Sequence, residues 1–208
     1  MKLDDATASC PVVAILRGVT PDAVEAIAEA LFAAGVRAVE VPLNSPEPLE
    51  SVRRLAAGFG ARMAIGAGTV LRALEAEQVA ATGAGFIVAP NTNVAVIRRA
   101  CALGLAPVPG FATASEALSA TTAGARRLKL FPAATYGPGH MRQLRAVLPA
   151  DTEVWAVGGI GGKDLADWWA AGARAFGVGS ELYRPGQGAA ETHDKAAALV
   201  EAAKDLAR

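Results

Sequence analysis

The stretch Val12–Leu43, VVAILRGVTPDAVEAIAEALFAAGVRAVEVPL, carries the pattern on which the fold turns. It opens with a strand-like run, VVAILR (12–17), and passes Thr20 at an N-cap position into helical spacing from Pro21 to Ala34. Gly35 then stops the helix, and a second strand-like run, AVEVPL (38–43), follows at once. Strand, helix and strand in so few residues calls for a parallel pair joined by a helical crossover.

The unit recurs. Glycines near the ends of Ala-rich helical stretches stand at 35, 58, 83, 104, 124 and 172, at intervals of 23, 25, 21, 20 and 48 residues. The last interval is twice 24, and its midpoint falls at Leu148-Pro149, where proline can end a helix as glycine does elsewhere. Further strand-like runs are MAIGAGT (63–69), FIVAP (86–90), APVPG (106–110), RLKLFP (127–132), EVWAVGG (153–159) and AFGVGSEL (175–182). Helical stretches are expected over Glu47–Ala57, Leu71–Thr82, Val94–Leu103 and Ala189–Ala207. Eight units in 208 residues leave 26 residues each, enough for a strand, a helix and two short loops. The expected fold is α/β, a compact (β/α)8 TIM barrel forming a single domain over residues 1–208. A doubly wound open sheet is the competing architecture, but Arg17-Gly18-Val19-Thr20 stands where its G-x-G-x-x-G turn would be.

Composition narrows the function. Twenty basic residues balance 20 acidic ones, so there is no cationic surplus for a nucleic-acid backbone or an anionic membrane. The start, MKLDDATASC, has no signal-peptide core, and no apolar run reaches the roughly 18–20 residues of a membrane span, so the chain reads as cytoplasmic. Cys10 and Cys101 share no C-x-x-C spacing and read as reduced thiols, and the two histidines, His140 and His193, form no ligand motif. No metal is expected.

Active sites of such barrels lie at the carboxyl ends of the strands. The polar residues there are Arg17, Glu40, Thr69, Asn91, Lys129, the Gly158-Gly159 pair and Gly179-Ser180. Lys129 stands apart, because of five lysines it alone lies inside an apolar strand. Strand alternation sets it opposite Leu128 and Leu130, so the amine points into the barrel if those leucines face the helices. Burial lowers an ammonium pKa and leaves free amine to attack a carbonyl, as a Schiff-base lysine must. A structural lysine paired with a carboxylate is the plainer alternative. Glu40, flanked by Val39 and Val41, is likewise expected inside, where a carboxyl of raised pKa can relay protons. The glycine turns closing strands seven and eight suit a phosphate, since bare backbone lets N–H groups approach an anion. Tight turn geometry alone would also explain them. Arg17 offers a cationic fork for a phosphate or carboxylate, or a structural bridge across the mouth. Trp168 and Trp169, on a helix, are expected to pack rather than bind substrate.

Taken together, AILRG (14–18), VEVPLNSP (39–46), IGAGTVL (65–71), IVAPN (87–91), PVPGFATASEA (107–117), LKLFPA (128–133), AVGGI (156–160) and GVGSELYRPGQ (177–187) resemble the class I aldolases of the 2-keto-3-deoxy-6-phosphosugar family. The resemblance runs from about Pro11 to the last helix. It implies Lys129 as the Schiff-base lysine, Glu40 as proton donor and acceptor, and Arg17, Thr69, Gly159, Gly179 and Ser180 as substrate-binding positions. It also implies a homotrimer, a phosphorylated keto-acid sugar as substrate, and no cofactor beyond the covalent lysine. Members acting on the gluconate-derived sugar typically carry Arg-Thr where Asn44-Ser45 stands, and Thr where Val157 stands. Asn44 and Val157 therefore resemble the galactonate-type branch. The rival expectations are a phosphosugar isomerase or epimerase on the same barrel, and a non-catalytic phosphosugar-binding protein.

Overall fold

Pro21 opens the first long helix, whose missing N–H costs nothing at that position, and the chain then alternates strand and helix as the repeat demands. The computed structural model describes residues 1–204 and 206. The strands are β1 (Val12–Ile15), β2 (Ala38–Pro42), β3 (Ala64–Gly68), β4 (Phe86–Val88), β5 (Ala106–Val108), β6 (Gly110–Phe111), β7 (Arg127–Leu130), β8 (Glu153–Val157) and β9 (Ala173–Val178). The helices are α1 (Leu3–Ser9), α2 (Pro21–Ala33), α3 (Pro48–Phe59), α4 (Ala73–Ala80), α5 (Val94–Ala102), α6 (Ala114–Thr122), α7 (Ala133–Arg145), α8 (Leu165–Ala170) and α9 (Ala189–Ala203). The expected end of the last helix, Ala207, lies outside the described residues. Among the described residues no helix is long and apolar enough to cross a membrane.

All pairings are parallel, in the order β5-β4-β3-β2-β1-β9-β8-β7-β6. Nine strands replace the eight expected because the run 106–110 is broken at Pro109. β5 pairs with β4 and β6 pairs with β7, so the two pieces are halves of one stave and the ring closes through it. Pro109 has no N–H for a ladder, but its carbonyl accepts from Lys129 N–H at 2.9 Å and carries the pairing across the break. The strands are also shorter than their apolar runs. Arg17, Thr69, Pro90 and Gly158 leave the ladder and form the loops of the mouth.

Alternation along the strands sorts the core into two layers. Val12, Ala14, Val39, Val41, Ile65, Leu128, Leu130 and Phe176 face outward into a continuous apolar layer with the helices. Val13, Ala38, Ala64, Phe86, Val88, Trp155 and Ala175 fill the barrel instead. Leu3 and Ala6 of α1 join this inner cluster, so α1 plugs the end of the barrel away from the mouth, held by an ion pair from Asp4 to Arg127. The sequence reading did not foresee α1; its signals are only Asp4 and Asp5 in the first turn and a short apolar i, i+3 pair.

Five repeat glycines, at 35, 83, 104, 124 and 172, have positive φ after helix ends, as a left-handed C-terminal turn requires. Gly58 instead lies within the last turn of α3. Trp168 is buried in the helix layer, and Trp169 packs against Phe176 and under Arg174. In the inner layer Phe86 lies so close to Gly66 that an added Cβ would stand 2.6 Å from its ring carbons. Gly66→Ala is therefore expected to lower the unfolding free energy by about 1–3 kcal/mol, read by urea denaturation with the slope unchanged.

Candidate active site

Leu128 and Leu130 are fully buried in the outer layer, so the pleat turns Lys129 inward, where only 6% of it is exposed. Its Nζ lies 4.6 Å from the centroid of Phe131. Burial pushes the amine pKa down from the ordinary lysine value, attraction from Glu40 acts against that, and repulsion from Arg17 adds to it. The balance lowers the amine pKa and so raises the share of neutral nitrogen with a free lone pair.

Glu40, on β2, is 3% exposed, and its Oε2 is buried with no hydrogen-bond partner among the described residues. Space for the carboxyl exists because β3 carries Gly68 beside it, opposite Pro42 and two residues along from the Glu40 partner Gly66. A Cβ on Gly68 would stand 2.7 Å from the carboxyl carbon. Burial raises this pKa, while the charges of Lys129 and Arg17 oppose the rise. An amine biased toward losing its proton thus shares the barrel with an acid biased toward keeping one, the arrangement proton relay requires.

Both groups open into one cleft at the carboxyl ends of the strands. Arg17, Thr69, Val157, Gly158, Gly159, Gly179 and Ser180 line the same cleft, so the structure brings together the sequence candidates with two exceptions. Asn91 is exposed and faces elsewhere, its neighbour Pro90 taking the place at the wall. Asn44 does not reach the cleft either; its Oδ1 accepts from Arg17 Nη1 at 2.6 Å. Phe131 and Glu181 also line the cleft and were missed from the sequence. Phe131 carries a signal in hindsight, since it sits two residues past Lys129 and so shares its strand face. Glu181 sits on a turn and obeys no period.

The mouth holds several residues in left-handed backbone. Gly158 and Gly159 have φ 99° and 72°, as glycine permits, and Thr69 has φ 57°, an uncommon setting for a β-branched residue. The amide N–H groups of Gly159, Ile160, Ser180 and Glu181 make no hydrogen bond to another described residue, and all four residues border the cleft. Neither glycine turn opens straight into an α-helix. The first leads through a 3₁₀ turn, Gly162–Asp164, into α8, and nine residues separate Gly179 from the start of α9. Donors for an anion at this end come from the turns themselves. His140 lies on α7, stacked on Tyr136 with ring centroids 4.9 Å apart, and its Nε2 is 2.7 Å from the Ala112 carbonyl oxygen.

Comparison with known proteins agrees with this geometry. Residues 3–199 match the family described as "Aldolase: KDPG and KHG aldolase". The 2-dehydro-3-deoxy-6-phosphogalactonate aldolase of Escherichia coli (strain K12) is 46% identical over 195 residues, which cover 94% of this chain and 95% of that protein. A solved structure described as "Native KDPGal structure" superimposes with a TM-score of 0.92 at 45% identity, covering 94% of this chain and 95% of that one. A designed cage built "by fusing symmetric oligomeric domains" contains a similar chain, with a TM-score of 0.93, 45% identity, and 95% of this chain and 73% of that one covered. With the barrel, the inward lysine and the family match all in agreement, the chain belongs to the KDPG and KHG aldolase family.

Proposed function

We propose that the protein is a class I aldolase that reversibly cleaves 2-dehydro-3-deoxy-6-phospho-D-galactonate to pyruvate and D-glyceraldehyde 3-phosphate. The observation that carries this reading is the buried, neutral-leaning amine of Lys129 beside the unpartnered carboxyl of Glu40. Lys129 Nζ attacks the C2 ketone, and Glu40 moves the protons that turn the carbinolamine into an iminium with loss of water. A base then takes the C4 hydroxyl proton, the C3–C4 bond breaks, and its electron pair passes into the iminium to give an enamine. Glyceraldehyde 3-phosphate leaves, the enamine takes a proton at C3, and water returns to release pyruvate and the free amine. The iminium is the electron sink, so the scheme needs no metal or other cofactor.

Arg17 and Thr69, with the turns bearing Gly158, Gly159, Gly179 and Ser180, would hold the substrate's anionic and polar groups. The unused amides of Gly159, Ile160, Ser180 and Glu181 support a phosphate at that end. Val157 presents methyl groups to the cleft, which leaves one sugar hydroxyl without a side-chain partner there and supports the galactonate epimer over the gluconate one. The resemblance and the symmetric oligomeric domains of the similar cage chain support an oligomer, which we infer to be a homotrimer; a solution mass of three chains by light scattering checks it. The reaction is a soluble, metabolite-level one, and we place it in the cytoplasm.

Reduction with borohydride in the presence of pyruvate is expected to add the reduced pyruvyl mass to Lys129, and Lys129→Ala is expected to lose both this adduct and cleavage. A noncovalent barrel enzyme or a binding protein would give no adduct. The rising limb of kcat/KM against pH is expected well below the ordinary lysine pKa. Glu40→Gln removes the attraction that holds the amine's proton, so the onset of trapping should move to still lower pH while turnover falls. The galactonate substrate should be cleaved faster than the gluconate epimer, and Val157→Thr should reduce that ratio about 2- to 10-fold, the worth of one hydrogen bond. Equal rates on the two sugars in the wild-type protein would overturn the substrate assignment.

A further inference from the structure

We propose that Asn44 is a positioning residue, absent from the cleft itself, that sets substrate affinity by holding the Arg17 guanidinium over the mouth. The inference rests on the aldolase reading and deepens it.

Among the described residues two cationic ones border the cleft, Lys129 and Arg17. Burial lowers the pKa of the first, whereas a guanidinium stays charged, so Arg17 is the steadier positive charge facing a substrate that carries a carboxylate and a phosphate. Arg17 is nonetheless exposed and stands in a turn past the end of β1, on a long side chain with many rotamers. Something must aim it. The turn after β2 supplies two contacts to the turn after β1. Asn44 Oδ1 accepts from Arg17 Nη1 at 2.6 Å, and the buried Ser45 Oγ accepts from Gly18 N–H at 2.9 Å. Ser45 thus anchors the backbone of the Arg17 turn, and Asn44 anchors the charged end of its side chain. The guanidinium also lies close enough to act electrostatically on both Glu40 and Lys129, so it stands at the cleft where the substrate must bind. A neutral amide suits this place. It accepts from one nitrogen without neutralising the guanidinium, and the rest of the fork stays available to an anion.

The test is a double-mutant cycle of Asn44→Ala and Arg17→Ala, read as kcat and KM for the galactonate substrate, with kcat/KM from initial slopes where saturation is out of reach. Asn44→Ala alone is expected to raise KM about 3- to 10-fold, the range of one exposed charge-assisted hydrogen bond, with kcat within about twofold. Its thermal midpoint should stay near that of the wild type, because the side chain is exposed. In the Arg17→Ala background the same substitution should change kcat/KM by less than about twofold. An unchanged KM in the single variant, or an equal effect in both backgrounds, would overturn the proposal. Borohydride trapping of pyruvate on Lys129 in the wild-type protein reports separately on the aldolase reading, so failure of one is not mistaken for failure of the other.

Discussion

Everything at the mouth of this barrel answers to the cost of keeping an amine out of water. Lys129 is buried on a central strand, and the energy that would stabilise its ammonium in solvent is not replaced there by a close ion pair or a hydrogen-bonded cage. Burial therefore shifts the balance toward loss of the proton, which is also the state a Schiff base requires. Glu40 meets the same constraint from the other side, and burial raises its pKa. Each charge steadies the other's ionised form while desolvation works against both. A proton can therefore move between solvent, acid and substrate without either group being locked in one state.

That balance depends on packing several residues away. Inward Lys129 follows from outward Leu128 and Leu130, whose burial against the helices fixes the register of β7. Inward Glu40 needs the missing Cβ of Gly68 on the neighbouring strand. The break at Pro109 serves the same end, since its carbonyl receives the N–H of Lys129 and pins the lysine backbone where the stave changes partners. Below them Phe86, Trp155 and the α1 plug fill the barrel, so the cleft opens at one end.

The loops do a different job. They present exposed or half-exposed groups, Arg17 and Ser180 among them, whose positions depend on turn geometry and on neighbouring turns rather than on burial. Left-handed settings at Thr69, Gly158 and Gly159 crowd around the cleft, and of the three only Thr69 bears a side chain that disfavours it. The turn-to-turn contacts of Asn44 with Arg17 and Ser45 with Gly18 join the ends of β1 and β2 in one polar unit.

Much of this was legible in the chain alone, because strand alternation and helix spacing are local and the repeat multiplies them. The barrel, the inward faces of Lys129 and Glu40, and the glycine turns all follow from periods of two and of 3.6 and from chain stops. The α1 plug was not legible, since seven residues give too short a pattern and their burial depends on the hole they fill. Nor was the split at Pro109, which is a statement about two different neighbours of one strand. Asn44 shows the limit best. The family resemblance marked it as part of the specificity pattern, but only the folded chain reveals that it touches Arg17 and not the cleft, because the two turns lie 27 residues apart and meet through parallel pairing of β1 and β2. Sequence determined which groups face inward, through local periodicity; tertiary structure decided which of them meet, through ring closure.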